Sequence, residues 1–238
     1  MSRKVYGLKR VSPVGPSNDA VDFDFISILD FAIQFKGLQK RSQESRTRIV
    51  TVAREAFMAR GYSEVSTHDI SAEAGVTQGL ITYHFKSKQG LWQAAMDRVF
   101  GEFRNNLASR IRSLRGADER TFMTEIVRHL INLERQYPFI MRFMVVSAKE
   151  ADSHLIWLIK RHIQPIYDVL THLFEVAQHH GIMRQLPVTN AYYVLLAAGT
   201  VFSLGDEISI VAGQDTNSDS FSDAQAECLI TMLLTDPT

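Results

Sequence analysis

The sequence predicts an all-α fold in two parts. Apolar residues from about residue 46 onward recur at three- and four-residue steps rather than in alternation. Serine, threonine, glycine and proline stand where helices begin and end. No strand pattern stands out beyond the first 44 residues, and there is no internal repeat. With 45% hydrophobic residues in 238, the chain can bury a sizeable core.

Residues 1–44 read as an extension. Pro13, Gly15, Pro16 and Asn18 break regular structure. Phe23, Phe25, Ile26, Ile28, Leu29, Phe31, Ile33 and Phe35 then crowd a segment whose spacing suits a strand or a helix. Three readings stand: a disordered tail with one apolar segment, residues upstream of the true start, or an arm that packs on the body or a partner. Lys36, Lys40, Arg41, Arg46 and Arg48 lead into the first helix.

Ile49, Ala53, Ala56 and Phe57 give that helix its apolar face, and Gly61 ends it in the place of a left-handed terminal residue. Ser66 is a good N-cap, with Asp69 completing a capping-box pattern; Ile70 and Ala74 follow and Gly75 stops the helix. Thr77 caps a helix running to about Phe85. Ser87 caps a longer one carrying Leu91, Trp92, Ala95, Met96 and Val99. After Gly116 helical patterns recur at about 118–136, 138–150, 152–180, 188–205 and 221–235. Pro138 suits a first turn, Pro165 predicts a kink or break, and 213–220 reads as a polar loop. The domains expected are 1–44, 45–92 and 93–238.

Composition excludes several classes. No apolar run reaches the ~18 residues of a membrane span. No secretory leader pattern is seen, so a soluble cytoplasmic protein with no membrane partner is expected. The single cysteine, Cys228, forbids an internal disulfide and reads as a filler on a buried helix face. His179 and His180 lack a ligand-like grouping and read as solvated or capping residues, so no metal and no cofactor are expected. There is no phosphate loop, nucleophile elbow or paired-carboxylate context, so no enzyme is expected. Net charge is zero but unevenly spread. Residues 36–88 hold nine Lys/Arg against five Asp/Glu, and 105–238 hold eleven against fifteen. One part is thus suited to a polyanion and the other is not.

Ser66 to Phe85 carries the functional signal: a short helix, a turn at Ala74-Gly75-Val76, and a second short helix. A helix-turn-helix lays its second helix in the DNA major groove. Its turn needs a small residue, a glycine with positive φ and an apolar plug, supplied here in that order. Thr77, Gln78, Thr82 and Tyr83 can meet base edges or phosphates, and Gly79 lets the backbone approach. Ile81 and Phe85 read as buried anchors; Leu80 fits either the core or the groove. Lys88 opens the next helix, where ammonium and backbone amides can meet a phosphate.

The run AGVTQGLITYHFKSKQGLW, with Ala53, Ala56, Phe57, Gly61 and Tyr62 upstream, resembles the signature of the tetracycline-repressor (TetR) family over residues 46–100. The resemblance implies a three-helix DNA-binding domain followed by a helical ligand-binding and dimerisation domain. It places DNA contacts on Ser66, Thr77, Gln78, Gly79, Thr82, Tyr83, His84 and Lys88. Many members carry tyrosine where this chain has Thr82, so the phosphate contact passes to Tyr83 or is lost. His84 is either a contact or a packing residue beside Phe85.

The segment from Glu134 to Phe143, with Pro165 and 181–184, is similar to one group of TetR C-terminal domains. The resemblance implies a ligand pocket among the middle helices, with candidates Phe122, His129, Arg142, Phe143, Met144, Trp157, His162 and Tyr167; each could equally be core. A buried Arg142 could pair with Glu134 or Glu150, or receive an acidic ligand. Family analogy also places 188–205 and 221–235 at a homodimer interface, through residues such as Leu195, Val201, Leu229 and Met232, some also filling the subunit's own core. The implied partners are an inverted-repeat operator in double-stranded DNA and a small-molecule effector. The effector would act by moving residues 88–104, relieving repression. Two rivals stand: a helical small-molecule binder with a vestigial helix-turn-helix, and a helical adaptor using residues 23–35. Sequence-specific, salt-dependent DNA binding separates both from the regulator.

Overall fold

The computed structural model describes residues 40–138, 140 and 153–236. The apolar segment at 23–35, most of the helix expected at 138–150, and Arg142, Phe143, Met144 and Glu150 lie outside the described residues. The described chain is helical throughout, its one β-bridge joining Met183 and Leu234.

Helix α1 (Lys40–Glu64) buries Ile49, Val50, Ala53, Ala56 and Phe57 along one stripe. Gly61, with φ 81°, leaves helical geometry where the sequence placed the stop. Helices α2 (Thr67–Glu73) and α3 (Gln78–Phe85) follow, then α4 (Lys88–Ser113). Ile70, Ile81, Phe85, Leu91, Trp92 and Met96 join the α1 stripe in a first core. Phe57 and Trp92 are each 1% exposed. Burial of this extent contributes roughly 2–3 kcal/mol per large apolar side chain.

Helix α5 (Glu119–Gln136) is capped by Asp118, whose carboxylate accepts from Thr121 N at 2.9 Å. The next described stretch runs α6 (Ser153–Leu158), a π-helical turn (Ile159–Ile163) and α7 (Gln164–His179). Pro165 was expected to kink or break this helix; instead the chain stays helical and widens. Gln164 N donates to Ile159 O five residues back, and Pro165 falls in the first turn of α7, where its missing N–H costs least. His180, as expected of a capping residue, closes α7 and pairs with Glu119 at 2.7 Å.

The helix expected over 188–205 is shorter. Helix α8 (Val188–Ala198) tightens into a 3-10 turn (Gly199–Ser203), and the chain then bends by 77° into α9 (Gly205–Ala212), which the sequence reading missed. Close packing explains the change: a Cβ on Gly199 would lie 2.4 Å from Glu134 Oε2. Helix α10 (Asp219–Leu233) packs on α5 through Ser222–Asn132, Arg128–Glu227 and Arg135–Asp219 contacts. Cys228 on α10 is exposed, correcting its expected place on a buried face. Helices α5, α7, α8 and α10 enclose the second core with Phe122, Ile126, Leu173, Phe174, Leu195 and Leu229. Phe103, Tyr137 and Ile166 pack against both cores, so α4 is common to the two. Among the described residues no single helix is long and apolar enough to cross a membrane.

Candidate nucleic-acid interface

Local chemistry fixes the two short helices. Ser66 Oγ accepts from Asp69 N and Asp69 Oδ2 accepts from Ser66 N, each at 3.1 Å, forming the expected capping box. These hydrogen bonds, aided by Arg60 and His68, hold the Asp69 carboxyl below the usual carboxylate range. Gly75 takes φ 62° and Val76 N donates to Ser71 O at 3.0 Å, closing the turn over buried Ala74. Thr77 occupies the N-cap position of α3, but its side chain makes no cap hydrogen bond, unlike the cap the sequence suggested.

The eight residues of α3 divide cleanly. Ile81 and Phe85 are buried and Leu80 and His84 half-buried, all on the core side. Gln78, Gly79, Thr82 and Tyr83 are exposed on the other, with Tyr83 68% exposed. A Cβ on Gly79 would meet only Thr77 Oγ1, at 4.0 Å, so nothing within the chain requires glycine there. Gln78 Nε2 donates to Thr67 Oγ1 at 3.5 Å and Thr82 Oγ1 to Gln78 O at 3.3 Å. The Thr67–Gln78 contact links the start of α2 to the start of α3. His84 sits edge-on to Tyr83 at 5.0 Å and 5.9 Å from Phe85, between the packed and the open side.

Two positive groups flank this face. Lys88 Nζ lies 4.5 Å from the Tyr62 ring and donates to Ser63 O at 3.4 Å, tying α4 to the end of α1. Lys86 was not foreseen. It is the one described non-glycine residue with positive φ (67°), ends α3, and donates from Nζ to Tyr83 O at 3.1 Å. Its signal was hidden because left-handed helix ends are normally glycine or asparagine. Gly90 was also missed: a Cβ there would lie 2.2 Å from Phe85 O, so α4 can only start this close to α3 without a side chain. Ser87 caps α4 by accepting from Gly90 N at 3.1 Å.

The ligand candidates are dispersed. Phe122 lines one pocket, of about 460 Å³ with open solvent included, beside Leu114, Met123, Leu173 and His180. His129 lies between α4 and α5, held below the usual imidazole range by burial. Trp157 packs in the first core near Trp92 and His162. His162 is fully buried, stacked on Phe100 at 4.9 Å, and accepts from Arg104 Nη1 at 2.7 Å through Nδ1. Its Nε2 lies 3.1 Å from Asp97, which Arg161 grips with two hydrogen bonds of 2.6 and 3.1 Å. Tyr167 meets Tyr192 edge-on at 4.9 Å and shares a hydrogen bond with Thr189 at 2.7 Å. A second pocket, about 450 Å³ including open solvent, is lined by Phe100, Phe103, Glu134, Tyr137, Tyr192 and their neighbours. None of the described ligand candidates lines it.

A capped helix, a glycine turn and a short helix with one open polar face make a helix-turn-helix of the DNA-binding class, mounted on a helical body. Residues 49–95 match the family model described as bacterial regulatory proteins, tetR family. It is similar to the HTH-type transcriptional regulator TtgR of Pseudomonas putida, 39% identical over 61 residues that cover 26% of this chain and 29% of that protein. It is similar also to UidR of Escherichia coli K12, 34% identical over 71 residues covering 28% and 36%. The chain thus spans about a third of each curated relative's length. The fold extends further. A TetR transcriptional regulator from Chloroflexus aurantiacus aligns over 83% of this chain and all of its own (TM-score 0.63, 18% identity). The structure of AibR with isovaleryl coenzyme A and operator DNA aligns over 79% and 97% (TM-score 0.61, 19% identity).

Proposed function

We propose that the chain is a sequence-specific DNA-binding transcriptional regulator, a homodimer whose repression is relieved by a small-molecule effector. The observation that carries the reading is the division of α3. Its core side is locked by Ile81 and Phe85, while Gln78, Gly79, Thr82 and Tyr83 are exposed, uncovered by the described residues. Gln78 and Thr82 supply hydrogen bonds to base edges, and the exposed Tyr83 ring takes the phosphate role left open by Thr82. Ser66, Thr77 and Lys88 contact phosphates, and His84 braces Tyr83.

The homodimer sets two recognition helices about 34–36 Å apart, or a multiple, to match an inverted repeat. Apolar residues exposed on α8 to α10, among them Tyr193, Val194, Ile210, Val211 and Met232, supply the self-association surface. The effector binds in the helical body, as isovaleryl coenzyme A accompanies operator DNA in AibR. It works through α4, which both cores share, by favouring one spacing of the recognition helices over another.

A gel shift with the chain's own upstream region tests this. Wild type should retard an inverted-repeat fragment, with affinity falling as salt rises by about 0.9 log units per log unit for each neutralised phosphate. The Gln78→Ala, Tyr83→Ala double variant should stay folded and lose binding. Unchanged operator affinity in that variant would overturn the assignment.

A further inference from the structure

The second pocket contains a charge problem that nothing among the described residues resolves. Glu134, in the last turn of α5, is 7% exposed, and its Oε2 has no hydrogen-bond partner among the described residues. It presses against Gly199, where any side chain would collide with the carboxyl. Phe100, Phe103, Tyr137, Ile166, Tyr192 and Leu196 surround the space in front of it. Among the described residues no lysine, arginine or histidine lines the pocket. The last turn of a helix is also the negative end of its dipole, the worse end for a carboxylate. A lone carboxylate in such a place is costly, whereas one facing a cation is not. Burial accordingly pushes Glu134 well above the usual carboxylate range. The other titratable groups lining the pocket, Tyr137 and Tyr192, are raised by burial too and stay neutral near neutrality.

Resting on the regulator reading above, we propose that this pocket binds the effector and that the effector is a lipophilic organic cation anchored by Glu134. Aromatic faces attract cations through their quadrupoles, and the apolar walls accept a hydrophobic body. The enclosed space itself is about 40 Å³, so seating a drug-sized molecule, which needs roughly 300 Å³ or more, requires the aromatic walls to part. Among the described lining residues an anion would meet a carboxyl and two tyrosine rings and no positive group. The position also explains control: Phe100 and Phe103 belong to α4, which starts just after the recognition helix, and Ile163 ends the π turn. A molecule seated here touches the helix that carries the DNA-reading domain.

The test measures binding calorimetrically on the full-length protein without DNA. The probes are tetraphenylphosphonium, benzyldimethyldodecylammonium and tetraphenylborate, the last matching the first in shape with opposite charge. At least one cation should bind and the borate should not. Glu134→Gln, which keeps the neutral shape, should weaken the cation by roughly ten- to a hundredfold. Repeating the titration at neutral pH in buffers of different ionisation enthalpy should show a proton released by wild type and none by the variant. Absence of cation binding, equal binding by Glu134→Gln, or tighter binding of the borate would overturn the proposal. A Glu134→Gln protein that loses its cooperative melt is replaced by Leu196→Trp, which fills the pocket and should abolish cation binding while tetraphenylborate still fails to bind. A separate gel shift reads operator binding. Its failure would count against the regulator reading, while the probe titrations alone decide the pocket.

Discussion

Gly79 and Gly90 answer to different demands, and the same substitution separates them. At Gly79 a Cβ has open space, so alanine should stabilise the domain by about 0.5–1 kcal/mol through helix propensity. It should also weaken operator binding about tenfold, if the backbone there approaches a phosphate as the open face suggests. At Gly90 the Cβ would meet Phe85 O, so alanine should destabilise by about 2 kcal/mol or more. Thermal melts and gel shifts on the two variants check both signs. Glu134→Gln gives a third residue-scale prediction. A carboxyl whose folded value is raised contributes stability below its unfolded value and loses it as pH rises through the folded value. The gain from Glu134→Gln should therefore be small near pH 4.5 and grow toward neutrality and above. A melting-temperature difference that is flat across that range would contradict the burial of an unpaired acid.

At the scale of elements, helix ends were legible where a side chain or a glycine makes the end itself. Ser66, Ser87, Gly61 and Gly75 all do what their identities foretold. Ser66→Ala should cost about 1 kcal/mol, read as a lower denaturation midpoint with unchanged slope. The divided face of α3 was also readable from Ile81 and Phe85, although Leu80, which fitted either side, is placed only by the structure. Features set by distant neighbours were not readable. The tightening at Gly199 depends on Glu134, some sixty-five positions earlier, and neither residue announces the other. The π turn before Pro165 is one of two ways to absorb a proline, and local sequence does not choose between a wider turn and a break. The resemblance places a pocket only broadly, among the middle helices, and does not single out the side chains that line it. Trp157 packs against Trp92, and His162 lies in the Asp97–Arg161–His162–Arg104 cluster that joins α4 to the π turn. Sequence alone offers Glu134 only as a partner for Arg142.

At the scale of the molecule, the chain has two cores on one shared helix and an apolar surface that the described residues leave uncovered. Ile210 and Val211 are 85% and 80% exposed, and Tyr193, Val194 and Met232 are about half exposed on the neighbouring α8 and α10. A helix that shows several large apolar side chains to water is ordinarily covered by a partner, and a second copy would cover it symmetrically. If so, charge placed there should separate association from folding. Val194→Glu with Met232→Glu should move the protein from dimer to monomer in sedimentation velocity while its helical circular dichroism is kept. The monomer should still hold a single half-site weakly, since α3 and its core lie elsewhere, but lose the large gain that an inverted repeat confers. That gain comes from making the second contact intramolecular and reaches about a hundredfold or more when the spacing fits. A double variant that remains dimeric would place the interface on another surface, and one that unfolds would show that these side chains serve the subunit's own core.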